Sequence, residues 1–138
     1  MSRRKRRLNG EKLEPFVALP NNLIDSRAYA ELSGNAAKLL MVLMRKFNGH
    51  NNGWIAFGYS NADKAGFSRQ TTKRALMELW EKGIIKRTKA GVYRGNVSEW
   101  LLTFRRDNRN LHNKTDDWKQ YPNNEKSDEL KALLNEKK

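Results

Sequence analysis

The stretch Ala62-Asp63-Lys64-Ala65-Gly66-Phe67-Ser68-Arg69-Gln70-Thr71-Thr72-Lys73-Arg74-Ala75-Leu76 constrains the fold of this chain more than any other. A short helix reaches Gly66, the residue type that enters a left-handed turn without steric cost. Phe67 supplies an apolar plug for that turn. Ser68 offers a side-chain oxygen to the free N–H groups at the start of the next helix. In that helix Thr72, Ala75, Leu76 and Leu79 recur at spacings of three and four and share one face. Arg69, Gln70, Lys73 and Arg74 lie largely off it. Gly83 ends the helix, and Ile84-Ile85-Lys86-Arg87-Thr88 reads as a strand.

The rest of the chain is arranged around this unit. Pro20 closes an extended entry segment, and Leu23, Ile24, Ala28 and Leu32 give a helical stripe over about 21–32. Ser33 caps a second helix that buries Ala36, Leu39, Leu40, Leu43, Met44 and Phe47 and stops at Gly49. Asn48 to Gly53 is a turn-rich connection, Trp54 to Phe57 a short strand, and Ser60 the cap of a third helix over about 61–65. After the strand at Ile84, a glycine-bearing loop over 89–96 leads to a returning strand, Glu99 to Phe104. This order predicts a mainly α fold with a small β-hairpin, an α+β winged helix-turn-helix domain.

Three regions follow from composition. Residues 1–14 lack apolar periodicity and read as a flexible basic arm, residues 15–104 as the domain, and residues 105–138 as a hydrophilic tail. Within the tail Trp118 and Tyr121 are candidates to dock on a surface. A short helix over about 125–136 carries Leu130, Leu133 and Leu134 on one face. A helix that short needs a partner surface. The expected surface is a second protomer or a partner protein, contacted through residues 118–136, with packing on its own domain as the competing reading.

The chain carries 28 Lys/Arg against 15 Asp/Glu, a formal net charge of +13. Residues 64–94 concentrate the excess, with nine Lys/Arg against Glu78 and Glu81. Such a segment predicts a polyanionic partner. With no cysteine, a disulfide scaffold and a thiolate metal site are excluded, and a reducing cytoplasm is the expected compartment. No apolar run approaches the roughly 20 residues that span a bilayer, so no membrane partner is expected. No apolar h-region follows the basic N-terminus, which speaks against a secretory signal. No catalytic constellation is evident in the sequence. His50 and His112 stand in predicted loops, and Asp116-Asp117 has no neighbouring ligands. Asp63, Glu78, Glu81 and Glu99 make no metal set, and there is no P-loop or G-x-S-x-G. The expectation is a protein that is not an enzyme, with no cofactor, metal or small-molecule effector.

Double-stranded DNA is the expected partner. A major groove admits a helix, and Arg, Gln and Thr match guanine, adenine and thymine edges. Arg69, Gln70 and Thr71 occupy the first turn, where recognition helices reach bases, with Lys73 one turn on. Ser68, Lys64 and Arg74 are assigned to the sugar-phosphate backbone. So are Lys86, Arg87, Lys89 and Arg94 of the hairpin, which reach phosphate or the minor groove. Arg3, Arg4, Lys5, Arg6 and Arg7 read as a phosphate-binding arm, against the alternatives of a nuclear import signal or a solubilising tail. A basic helix face alone is more often simply solvated. The glycine turn, the serine cap and the basic hairpin argue otherwise.

The segment Ser68 to Leu76, then Leu79, then Gly83-Ile84-Ile85, resembles the recognition helix and following strand of GntR-type winged-helix regulators. It departs in having Thr72 where that family usually has an apolar residue, and a ligand-sensing GntR regulator with an effector-binding domain is not expected. The wider layout resembles the N-terminal origin-binding domain of phage replication O-type proteins. The frame from Phe16-Val17-Ala18-Leu19-Pro20 through Leu39-Leu40, Asn48-Gly49, Asn51-Asn52-Gly53 and Ser98-Glu99-Trp100 resembles small bacterial and phage-borne winged-helix proteins. These resemblances imply a sequence-specific duplex-binding protein, either a transcriptional regulator or a replication initiator of a mobile element. Two other classes stay open: an RNA-binding or ribosome-associated protein, and a protein-interaction adaptor. Trp54, Phe57, Trp80, Trp100 and Phe104 fit a core better than the exposed stacking platform that readers of single-stranded RNA display.

Overall fold

The computed structural model describes residues 14–91 and 97–136 and, before them, the backbone at 7–8 and 11–12. There β1 (Arg7–Leu8) pairs antiparallel with β2 (Glu11–Lys12). The stripe expected over 21–32 divides into α1 (Asn21–Ile24) and α2 (Arg27–Ala30). Ser26 is the cause. Its hydroxyl donates to the Leu23 carbonyl at 2.6 Å, closing α1, and accepts from the Tyr29 N–H at 3.2 Å, opening α2. Ile24, counted in the stripe, is exposed.

Ser33 caps α3 (Gly34–Met44), its hydroxyl accepting from the Ala36 N–H at 3.1 Å. The helix ends before the expected stop at Gly49. Asparagine side chains close the loop instead: Asn51 accepts from the Asn48 N–H, and Asn48 accepts from the His50 N–H. Next come β3 (Ile55–Phe57) and α4 (Tyr59–Asp63). The cap of α4 is Gly58 rather than Ser60, and Asn61 reaches back to accept from the Gly58 N–H at 2.9 Å. Helix α5 (Arg69–Glu81), β4 (Ile85–Lys89) and β5 (Ser98–Leu102) complete the hairpin.

The sheet is antiparallel with order β3-β5-β4, Ile55 opposite Trp100 and Ile85 opposite Leu102. Central β5 buries Trp100, Leu101 and Leu102. Helix α5 packs on α3, and Leu39, Leu40, Leu43, Leu79 and Ile84 join the sheet residues in one core. This is the α+β layout expected, and it is compatible with a winged helix.

Asn52, read from sequence as a turn residue, is fully buried. Its Oδ1 accepts from the Leu102 N–H at 2.7 Å, and its Nδ2 lies within 3.2 Å of the carbonyls of Leu102, Arg105 and Arg106. It therefore pins the loop after α3 to the end of β5.

The residues after Phe104, expected as a hydrophilic tail, pack on the domain. The Asp116 N–H donates to the Thr103 carbonyl at 2.9 Å, and Trp118, in a 3-10 turn over Asp117–Gln120, is buried. Gly83 makes this approach possible: a Cβ there would stand 2.9 Å from the backbone of Asp117 and Trp118. Helix α6 (Asp128–Asn135), capped by Ser127, buries Leu130 to 1 % exposure, with Leu133 and Leu134 partly buried on the same core. The surface that receives α6 is thus α5 of its own chain, where the sequence led to an expectation of a second protomer or partner. The reason lies in Met77. It falls on the side of α5 away from Ala75 and Leu79, is buried, and lines one groove with Leu133.

Candidate nucleic-acid interface

The turn between α4 and α5 is built from backbone. The Gly66 N–H donates to the Asp63 carbonyl, the Phe67 N–H to that of Ala62, and Gly66 sits at φ +91°. Phe67 is buried, and the Lys38 ammonium of α3 stands 4.9 Å from its ring centroid while donating to the Ala65 carbonyl at 3.3 Å. Phe67 thus plugs the turn, and Lys38 ties it to α3.

Ser68 opens α5 as expected. Its hydroxyl accepts from the Thr71 N–H at 3.1 Å and donates to the Thr71 hydroxyl at 2.9 Å. Thr72, the departure from the GntR-type pattern, is fully buried and donates to the Ser68 carbonyl at 2.8 Å. With its hydroxyl satisfied within the helix, it can be buried where an apolar residue would stand.

Arg69, Gln70, Lys73 and Arg74 are exposed, and Thr71 is half-buried with its hydroxyl already engaged by Ser68. At helical spacing Arg69 and Lys73 form one row and Gln70 and Arg74 a second. Lys73 borders a groove of about 330 Å³ between α5 and the root of the hairpin, floored by Phe57, Leu76, Trp80 and Trp100. Tyr59 stands at its edge, with the Arg69 guanidinium 4.6 Å from its ring centroid. Met77 and Trp80 are covered, so the open surface of α5 is its first two turns.

Lys64, just after α4, and Lys86 and Lys89 of β4 are exposed. Arg87 is different. Its guanidinium lies 4.9 Å from the Trp80 ring centroid and forms an ion pair with Glu129 of α6. Within the chain it thus already has a carboxylate partner, which Lys86 and Lys89 do not have among the ion pairs of the described residues. Arg94, Arg3, Arg4, Lys5 and Arg6 lie outside the described residues, as does the side chain of Arg7. Of the aromatics expected in the core, Phe57, Trp80, Trp100 and Phe104 are buried, but Trp54 is 49 % exposed. Among the described residues there is no cluster of His, Asp and Glu able to hold a metal, and no helix long and apolar enough to cross a membrane.

Residues 22–137 match the family model described as Firmicute plasmid replication protein (RepL). The chain belongs to the RepL family. No curated protein and no solved structure matches it. The RepL match runs from α1 through α6, so it takes in the segment after Phe104 together with the hairpin and α5. The basic residues 3–7 lie before it. The likeness of the α5 segment to GntR-type regulators is not shown by this match.

Proposed function

We propose that this RepL-family chain is a replication initiator that binds duplex DNA sequence-specifically and acts by binding rather than catalysis. The first two turns of α5 enter the major groove, Arg69, Gln70 and Lys73 reach base edges, and Arg74 and Lys64 hold the backbone. Lys86 and Lys89 of the hairpin hold an adjoining stretch of backbone.

The observation that carries this reading is the division of α5. Thr72, Ala75, Leu76 and Leu79 are buried on one side, while four long polar or cationic side chains stand exposed within two turns after a capped glycine turn. The plasmid replication family supports initiation over transcriptional regulation.

The test is binding to fragments of the replicon that carries the gene, with duplex DNA, single-stranded DNA and RNA of equal length compared at rising salt. One duplex fragment should be preferred over the rest. Replacing Arg69 or Gln70 by Ala should cost about 1–3 kcal/mol on that fragment and little on random duplex. Equal loss on both would leave phosphate contact alone, and preference for RNA would overturn the reading.

A further inference from the structure

We infer that Tyr59 is a positioning residue for Arg69, and that the pair reads a guanine on the hairpin side of the site. The inference rests on the duplex-binding reading above and names the base that one of its residues selects.

Two arginines lie against aromatic rings that line this groove. Arg87 sits 4.9 Å from the centroid of Trp80, and Arg69 sits 4.6 Å from that of Tyr59. They differ in what meets the rest of the guanidinium. Arg87 is paired with Glu129, and its side chain is only 20 % exposed. Arg69 is exposed and, among the described residues, forms no ion pair. A ring against the face of a guanidinium leaves the in-plane N–H donors directed outward. Those donors in a fixed fork match the O6 and N7 acceptors of guanine in the major groove.

The position also fits. Arg69 is the first residue of α5, where a recognition helix contacts bases. Tyr59 is the first residue of α4, which packs on α5 across the turn that Phe67 plugs. An exposed arginine otherwise samples many rotamers, and ordering it on DNA costs entropy. Tyr59 restricts that freedom beforehand. Its ring is half-buried and itself lines the groove with Lys73, so Arg69 and Lys73 leave α5 as one row beside it.

The experiment is selection of the full chain on a pool of randomised duplex DNA, followed by sequencing, for the wild type and for Arg69→Ala, Tyr59→Leu and Tyr59→Phe. The wild type should enrich a motif with a guanine at a position that Arg69→Ala alone makes indifferent. Tyr59→Leu should weaken preference at that same position about two- to fivefold, the size expected of an exposed cation–π contact. The remaining positions should hold, and Tyr59→Phe, which keeps the ring, should retain the guanine. Undiminished guanine preference in Tyr59→Leu would overturn the positioning role, as would equal weakening at every position. A base other than guanine at the Arg69 position would overturn the assignment of the base. A wild type that enriches no motif would overturn the duplex reading itself, and this inference with it.

Discussion

Glu78 of α5 accepts two hydrogen bonds from Ser33, one from its backbone N–H at 2.6 Å and one from its hydroxyl at 2.8 Å. The same hydroxyl oxygen accepts from the Ala36 N–H, so the proposed recognition helix orients the cap of α3. A carboxylate is also favoured at a helix N-terminus by the backbone dipole. Glu78 is one of two acidic residues among the nine Lys/Arg of residues 64–94, and this contact gives it a role there.

Replacing Glu78 by Ala should therefore lower stability by about 1 kcal/mol, the usual worth of a helix cap and of a charge-assisted hydrogen bond near solvent. Chemical denaturation measures it. Glu78 lies beyond the first two turns of α5 and is engaged by Ser33 of the α3 cap, so preference among duplex sequences should be unchanged under conditions where both proteins are folded.

Gly66 and Gly83 both adopt positive φ, at +91° and +78°, but their surroundings differ. A Cβ at Gly66 would meet nothing within 4 Å, whereas at Gly83 it would press on the backbone of Asp117 and Trp118. Gly66→Ala should cost about 1–2 kcal/mol from left-handed strain alone. Gly83→Ala should cost more, because backbone must also move. Melting curves for the two variants should rank them in that order, and equal losses would contradict the close approach at Gly83.

Leu130 is buried in the chain's own core, so Leu130→Ala should destabilise the fold by about 2–4 kcal/mol. Ending the chain after Phe104 removes Trp118 as well, and should leave a protein without a cooperative melt. Unchanged melting of the truncated protein would show that α6 and Trp118 contribute nothing to the fold.

Arg109 donates through its guanidinium to both oxygens of Asp107, at 3.1 and 2.8 Å, and through its backbone N–H at 3.0 Å. The guanidinium hydrogen bond holds the Asp107 carboxyl below its ordinary range, with smaller help from the Arg109 backbone N–H and charge. A value depressed on folding contributes stability above the unfolded value, about 3.9, and loses it as pH falls through the folded value. Asp107→Asn should therefore be less stable than the wild type at pH 7, on the order of 1 kcal/mol given the partly exposed partner. The gap should close as the pH is lowered below about 4. Urea melts across that range give the comparison, and a gap that widened in acid would contradict the pairing.

Salt dependence of duplex binding should separate the hairpin cations. Lys86→Ala and Lys89→Ala should each shrink the log–log slope by about 1, the value for one phosphate contact. Arg87→Ala should leave the slope as it was, because Arg87 is paired with Glu129. A slope lost with Arg87 instead would place that side chain on DNA.

The sequence by itself determined the features that depend on a few neighbouring residues. Ser33 and Ser68 cap helices, Gly66 and Gly83 take positive φ, and Thr72, Ala75, Leu76 and Leu79 are buried while Arg69, Gln70, Lys73 and Arg74 are not. A hydroxyl three residues from an N–H, or side chains three and four apart on a helix, are set by local backbone geometry. The tertiary structure alone decided which partners those side chains meet. Arg87 looks like any hairpin cation until α6 brings Glu129 to it from 42 residues away. Asn52 reads as a turn residue until β5 surrounds it with backbone groups that need a partner. Leu130, Leu133 and Leu134 announce an apolar face, but only the outward side of α5, with Met77, shows where it rests. Periodicity states that a side chain will be buried or exposed. The distance to its counterpart along the chain carries no local signal, so ion pairs, buried amides and helix docking are settled by packing.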